Sequence, residues 1–160
     1  MAYIMTHMSY ETIKIILEGN PIPYAAARKG AGGRWYNPRS KEKKDMEILV
    51  LSQYNEPPIE TAVTIHYLFI MPIPKSWSKK KREEYARTKP PHVVKPDADN
   101  MQKFFNDCIK GIVIKDDNQI ALAVPFKRYG DSPRTIMWIN KFCPTDIQGL
   151  KGSGQNQYLF

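Results

Sequence analysis

The chain has 160 residues, with 24 Lys and Arg against 16 Asp and Glu, a formal net charge of +8, 42% hydrophobic and 25% charged residues. That length suits one domain around one core, and the composition excludes wholesale disorder. Two cysteines, Cys108 and Cys143, exclude a disulfide scaffold and a CxxC-type zinc site. The positive balance favours a polyanionic partner through its field on a phosphate backbone, although charge alone does not require one. Residues 1–20 include Glu11 and Glu18 and no apolar run long enough for a signal peptide or membrane span, so the expectation is a soluble, cytoplasmic protein. Met1, Met5 and Met8 are each possible start positions.

In chain order, the β-branched run Ile13, Ile15, Ile16, Leu17 before Gly19-Asn20-Pro21 predicts a strand entering a turn. Residues 25–34 are small, glycine-rich and basic, and predict a mobile loop. Ser40 then caps a helix whose Met46, Leu49, Val50 and Tyr54 recur on one face, stopped by Pro57-Pro58. Residues 61–70 predict a strand with Val63, Ile65, Tyr67 and Phe69 on one side, ending near Pro72. Ser78 precedes a charged, solvated short helix from Lys79 to Ala86, closed by Pro90-Pro91.

From Asp99 to Lys110 the apolar residues Met101, Phe104, Phe105, Cys108 and Ile109 fall at helical spacing, with Gly111 placed for a left-handed end. After the Asp116-Asp117-Asn118 turn, Ile120, Leu122, Val124 and Phe126 alternate as in a half-buried strand. Gly130-Asp131-Ser132-Pro133 turns that strand into a hairpin partner over Thr135–Ile139. The expected whole is an α+β domain, a small mixed β-sheet with about two main helices. Its organisation is an N-terminal extension over 1–11, a domain over 12–140 and a C-terminal tail over 141–160, frayed from Gly149.

Five of the eight aspartates lie between residues 97 and 117, namely Asp97, Asp99, Asp107, Asp116 and Asp117. Like charges held together repel, so such a group is most easily tolerated when a cation neutralises it. Carboxylate oxygens suit Mg²⁺, which keeps several waters and takes few protein ligands, and such an ion can serve phosphodiester hydrolysis. The expected convergence has the Asp116-Asp117 turn folding back over the N-terminal end of the helix that carries Asp99, with Lys103 one turn on. Each carboxylate also has an ordinary role open to it: Asp97 or Asp99 as helix cap, Asp107 as the i,i+4 partner of Lys103, Asp116-Asp117 as a solvated turn. An EF-hand is excluded by Met101 and Gln102 at the fifth and sixth loop positions. The isolated His7, His66 and His92 and the apolar-face Cys108 read as structural.

The string Lys95-Pro96-Asp97-Ala98-Asp99-Asn100-Met101-Gln102-Lys103, then Asp107, then Asp116-Asp117-Asn118-Gln119, resembles the signature of RusA-type Holliday junction resolvases. Weaker similarity reaches Gly19 to Pro23, Tyr36-Asn37-Pro38 and Lys127-Arg128-Tyr129. The resemblance implies a homodimeric, Mg²⁺-dependent endonuclease, with Mn²⁺ able to substitute, that nicks four-way DNA junctions. Asp97, Asp99 and Asp117 match the family's metal-binding catalytic aspartates and Lys103 its functional lysine, with Asn100, Asp107 and Asp116 in support. Pro23 to Ala27 lacks polar residues that some members carry, and Lys79 to Ala86 belongs to an insertion absent from the shortest.

DNA contact is expected from Arg28, Lys29, Arg34, Arg39, Lys41, Lys43 and Lys44, interleaved with Trp35 and Tyr36, and from Lys127 and Arg128. The competing assignment for the first stretch is a solvated surface with Trp35 in the core. Two other functions stay open on these residues. One is a non-catalytic basic DNA-binding module; the other is a metal nuclease for flaps, forks or RNA.

Overall fold

The computed structural model describes residues 12–142. The expected extension over 1–11, His7, Cys143 and the tail from residue 143 lie outside them. The elements are β1 (Ile13–Glu18), β2 (Arg28–Lys29), β3 (Trp35–Tyr36), α1 (Ser40–Leu51), β4 (Val63–Pro72), α2 (Lys79–Thr88), α3 (Ala98–Ile109), β5 (Ile120–Gly130) and β6 (Arg134–Lys141). A short 3-10 turn, Asp117–Gln119, precedes β5. The class is α+β, a mixed four-stranded sheet in the order β1-β6-β4-β5 with a separate β2-β3 ribbon.

β4 is central because its apolar run satisfies both faces. Val63, Ile65, Tyr67, Phe69 and Met71 join the main core with Met101, Phe104, Phe105, Cys108 and Ile109 of α3, while Leu68 and Ile70 meet Ile136 on the other face. β4 and β5 run parallel, and a parallel pair requires a long crossover. The chain from α2 through α3 supplies it. The hairpin expected between β5 and β6 does not form, since β4 lies between them and pairs with both. β4 is buried on both sides and gains most from the central place, whereas β5 stays only half buried at the edge.

That edge is covered by the segment leading to α3. His92 N–H donates to Lys127 O and Tyr129 N–H to Pro90 O, both at 3.0 Å. Pairing the edge strand this way removes open backbone groups and lays residues 90–97 along β5 toward the acidic motif. The charged helix expected after Ser78 forms as α2, with the Ser78 side chain as its cap, and it buries none of its residues. Trp77 and Tyr85 pack their rings on Tyr129 at 5.5 and 5.2 Å.

Two local expectations are corrected. Ser40 is the first residue of α1 and Arg39 its N-cap, without a side-chain cap bond. Asn37 Oδ1 accepts the Arg39 N–H at 2.9 Å, so an asparagine turn starts this helix. Residues 25–34 are not all loop: Gly33, at φ +76°, turns a two-residue ribbon, with the Gly30 N–H bonded to Arg34 O at 2.9 Å. Only glycine adopts that φ at no steric cost.

Candidate active site

Packing fixes the phase of α3. Its five apolar residues are buried and Tyr67 in β4 donates its hydroxyl to Asn106 Oδ1, so Asp99, Lys103 and Lys110 are turned outward and exposed.

The N-terminal end of this helix is anchored by its neighbours. Lys127 Nζ donates to Val94 O at 2.5 Å and to Pro96 O at 2.7 Å. Tyr24 N–H donates to Asn100 O at 2.9 Å, and Lys103 Nζ stands 4.2 Å from the Tyr24 ring centroid, a cation–π contact. Asp97 occupies the N-cap position yet makes no side-chain cap bond. Asp97 and Asp99 are both exposed at a helix end whose dipole favours negative charge. The cap role allowed for Asp97 is therefore not the one its side chain adopts.

The other acidic pair lies at the opposite end. Gly111, at φ +76°, reverses the chain after α3. Lys110 Nζ bridges Asp116 at 3.2 Å and Asp117 at 3.0 Å. Asp116 also accepts the Asn118 N–H at 3.2 Å, and Gln119 Oε1 accepts the Asp116 N–H at 2.7 Å, a capping box. Gln119 Nε2 reaches the carbonyls of Ile59 and Thr61, both at 2.9 Å, pinning the turn to the lead-in of β4. The adjoining Asp117 carboxyl, then the Asn118 N–H and Lys110, hold the Asp116 carboxyl down at about 2. The same pair raises the Lys110 ammonium, Asp117 first.

The expected fold-back of this turn over the N-terminal end of α3 is thus overturned. Only residues 111–115 join helix and turn, and Val113 and Ile114 among them are buried in the core, so the link cannot run the length of the helix. The 12 residues of α3 span about 18 Å at roughly 1.5 Å per residue. Asp97 and Asp99 come together at one end, Asp116 and Asp117 at the other. Among the described residues no group of three or more His, Cys, Asp or Glu is placed to hold one metal ion. A single protomer therefore does not fit a three-aspartate metal site.

The basic residues divide in a similar way. Arg28, Lys29, Arg34, Lys41 and Lys44 are exposed, and Trp35 is 67% and Tyr36 51% exposed. The core placement allowed for Trp35 does not occur. Arg39 pairs with Glu42 at 2.8 Å and Lys43 with Glu47 at 3.5 Å. Lys127 and Arg128, expected as DNA contacts, are both turned to backbone, Arg128 donating to Tyr129 O at 3.1 Å. His92 and Cys108 are buried, and burial pushes the Cys108 thiol up to about 12, which leaves it inert.

Three residues with clear roles were missed by sequence reasoning. Gln119 had a readable signal, since Asp116 followed three positions later by glutamine is a capping-box pattern. Tyr24 and Lys110 had none, because their partners are brought to them by the tertiary fold.

Among known proteins, no curated protein matches the chain. A family model described as endodeoxyribonuclease RusA matches residues 18–140. That span runs from the end of β1 to the last turns of β6 and includes both acidic ends of α3, the β2-β3 ribbon and Lys103; the chain belongs to the RusA endodeoxyribonuclease family.

Proposed function

We propose that this endodeoxyribonuclease resolves four-way DNA junctions by paired nicks as a homodimer in recombination and repair. Mg²⁺ is the required ion, replaceable by Mn²⁺, and since one protomer keeps Asp117 apart from Asp97 and Asp99, these three ligands are completed in the homodimer and not within one chain. The observation that carries the proposal is the uncommitted Asp97-Asp99 pair at the anchored end of α3. It lies beside Lys103 and a chain segment that leads from Tyr24 into the exposed basic ribbon.

In this reading Arg28, Lys29 and Arg34 hold phosphates, while Trp35 and Tyr36 offer ring faces to unstacked bases or sugars. Lys103, kept over the Tyr24 ring, neutralises charge developing on the attacked phosphate. The ion supplies an activated water and charge neutralisation when bound. Asn100 supports the site through its carbonyl, which fixes Tyr24.

The deciding experiment is cleavage of a synthetic four-way junction beside linear duplex of the same sequence, with and without Mg²⁺. Junction-selective, Mg²⁺-dependent paired nicking is expected, and loss of it in Asp99→Asn with junction binding retained. Equal cutting of both substrates would overturn the junction reading, and full activity of Asp99→Asn would overturn the ligand assignment.

A further inference from the structure

The positive charge of the chain is unevenly spread. Residues 75–89 hold seven lysines and arginines against Glu83 and Glu84, a net +5 out of the chain's +8. Within them α2 opens on Lys79-Lys80-Lys81-Arg82, with no acid in its first turn. A helix dipole favours acids there and disfavours cations, so this order costs the free protein stability. Few groups of the fold answer these charges. Lys79 reaches Glu83 only at 3.9 Å, with both side chains mostly exposed, and such pairs contribute little. Lys81 Nζ stands 3.7 Å from the Trp77 ring centroid. Among the described residues Lys80, Arg82 and Arg87 make no ion pair.

Ring packing sets the phase of the helix. Tyr85 and Ala86 are its only half-buried residues, with Tyr85 against Trp77 at 4.9 Å and Tyr129 at 5.2 Å. At roughly 100° per residue, Lys80, Glu84 and Arg87 fall within about 60° of one another on the opposite, outward side. The helix is also tied to the acidic end of α3. Lys89, at φ 48°, ends α2, and residues 90–96 run along β5 toward Asp97, held by the bonds from His92 N–H to Lys127 O and from Tyr129 N–H to Pro90 O. Seven residues extend at most about 24 Å at roughly 3.4 Å each, and the 10 residues of α2 add about 15 Å. All of α2 thus lies within the length of about 11 base pairs of the acidic end, at roughly 3.4 Å per pair.

We propose that α2 is a second DNA contact: Lys80 and Arg87 on its outward face grip the phosphate backbone of a duplex arm beside the cleavage position, without regard to sequence. Charge complementarity decides the occupant. Duplex DNA carries one negative charge per about 1.7 Å of its axis, and it supplies the counter-charge that the fold withholds from these cations. α2 has none of the exposed large apolar residues of the chain, so it lacks the anchors that a protein partner would use. The contact adds to the β2-β3 ribbon and serves any duplex arm, so it goes beyond the junction reading and does not depend on it.

Binding in the presence of a chelator, followed by fluorescence anisotropy over a salt series on a four-way junction and on linear duplex, tests this. Each phosphate contact contributes about 0.9 to the slope of log affinity against log salt. Lys80→Gln with Arg87→Gln should lower that slope by about 1.8 on both DNAs and weaken binding at least about tenfold at low salt. Glu84→Lys, which completes the outward stripe, should steepen the slope by about 0.9 and tighten binding about fivefold. In hydroxyl-radical footprints the double variant should lose a patch of backbone protection within about 11 base pairs of the nick position.

Unchanged slope and affinity in either variant overturn the contact and leave α2 a solvated face. Weaker binding with every footprint kept makes the effect one of net charge alone, and the proposal falls. A wild type that binds junction and linear duplex equally overturns the junction reading and leaves this contact standing. Circular dichroism checks folding; should the double variant fail to fold, Glu84→Lys decides by itself.

Discussion

Lys127 separates two accounts of the acidic end. As a phosphate contact, its removal would weaken DNA binding and leave the fold alone. The structure instead gives it two charge-assisted bonds to the carbonyls of Val94 and Pro96, the residues that deliver Asp97. Such bonds contribute about 1.5–3 kcal/mol each. With one bond exposed and the other partly buried, Lys127→Met should cost about 2–3 kcal/mol in total. At about 3 °C per kcal/mol for a domain of this size, Tm falls about 6–9 °C. Freed carbonyls let the 94–97 segment drift, and a displacement of about 1 Å costs roughly 100-fold in rate. Thermal melts and single-turnover cleavage at saturating enzyme read both effects. An unchanged Tm and saturated rate, with weaker binding and a salt slope lowered by about one, would refute the positioning role and restore the phosphate contact.

Phe105→Ala removes a ring that is 1% exposed and lies 5.8 Å from Phe69 and 5.2 Å from Phe104; a loss of about 3–5 kcal/mol is expected in urea unfolding, and less than about 1 would contradict the core placement. Burial, then the Lys127 charge, lowers the His92 pKa below its ordinary 6.5. Its contribution to stability is therefore present above pH 6.5 and lost as pH falls through the lower folded value; an NMR titration midpoint at or above 6.5 would oppose this. Lys103→Ala should lower kcat and kcat/KM together by about 100-fold, and recovery of the full rate at saturating enzyme would reduce Lys103 to a binding contact.

Much of the fold was legible because its signals are local. Met101, Phe104, Phe105, Cys108 and Ile109 announce the buried face of α3, Ser78 caps α2 and Gly111 takes the left-handed conformation. Strand order was not legible. Adjacent strands with a turn between them read as a hairpin, but β4 displaces β5 from β6 because a strand apolar on both faces competes better for the centre than a half-polar one. The candidate site divides the same way. The clustering of Asp97, Asp99, Asp107, Asp116 and Asp117 was visible from residue types and spacing, whereas the choice of Asp97, Asp99 and Asp117 among them came from the resemblance to a family to which the chain belongs. Their separation was not visible, because it depends on Val113 and Ile114 entering the core rather than crossing over the helix.

The same packing that separates the acids gives them their precision. Burying five residues on one side of α3 leaves a single rotational phase, since turning the helix by one residue, about 100°, in one direction would put Lys103 toward the core and in the other would expose Phe104. The polar stripe therefore inherits the rigidity of the apolar one, and the spacing from Asp99 to Lys110 is set by hydrogen-bonded helix rather than by loop. Functional groups on regular elements are held more closely than groups on loops. What a lone helix cannot do is bring its own ends together.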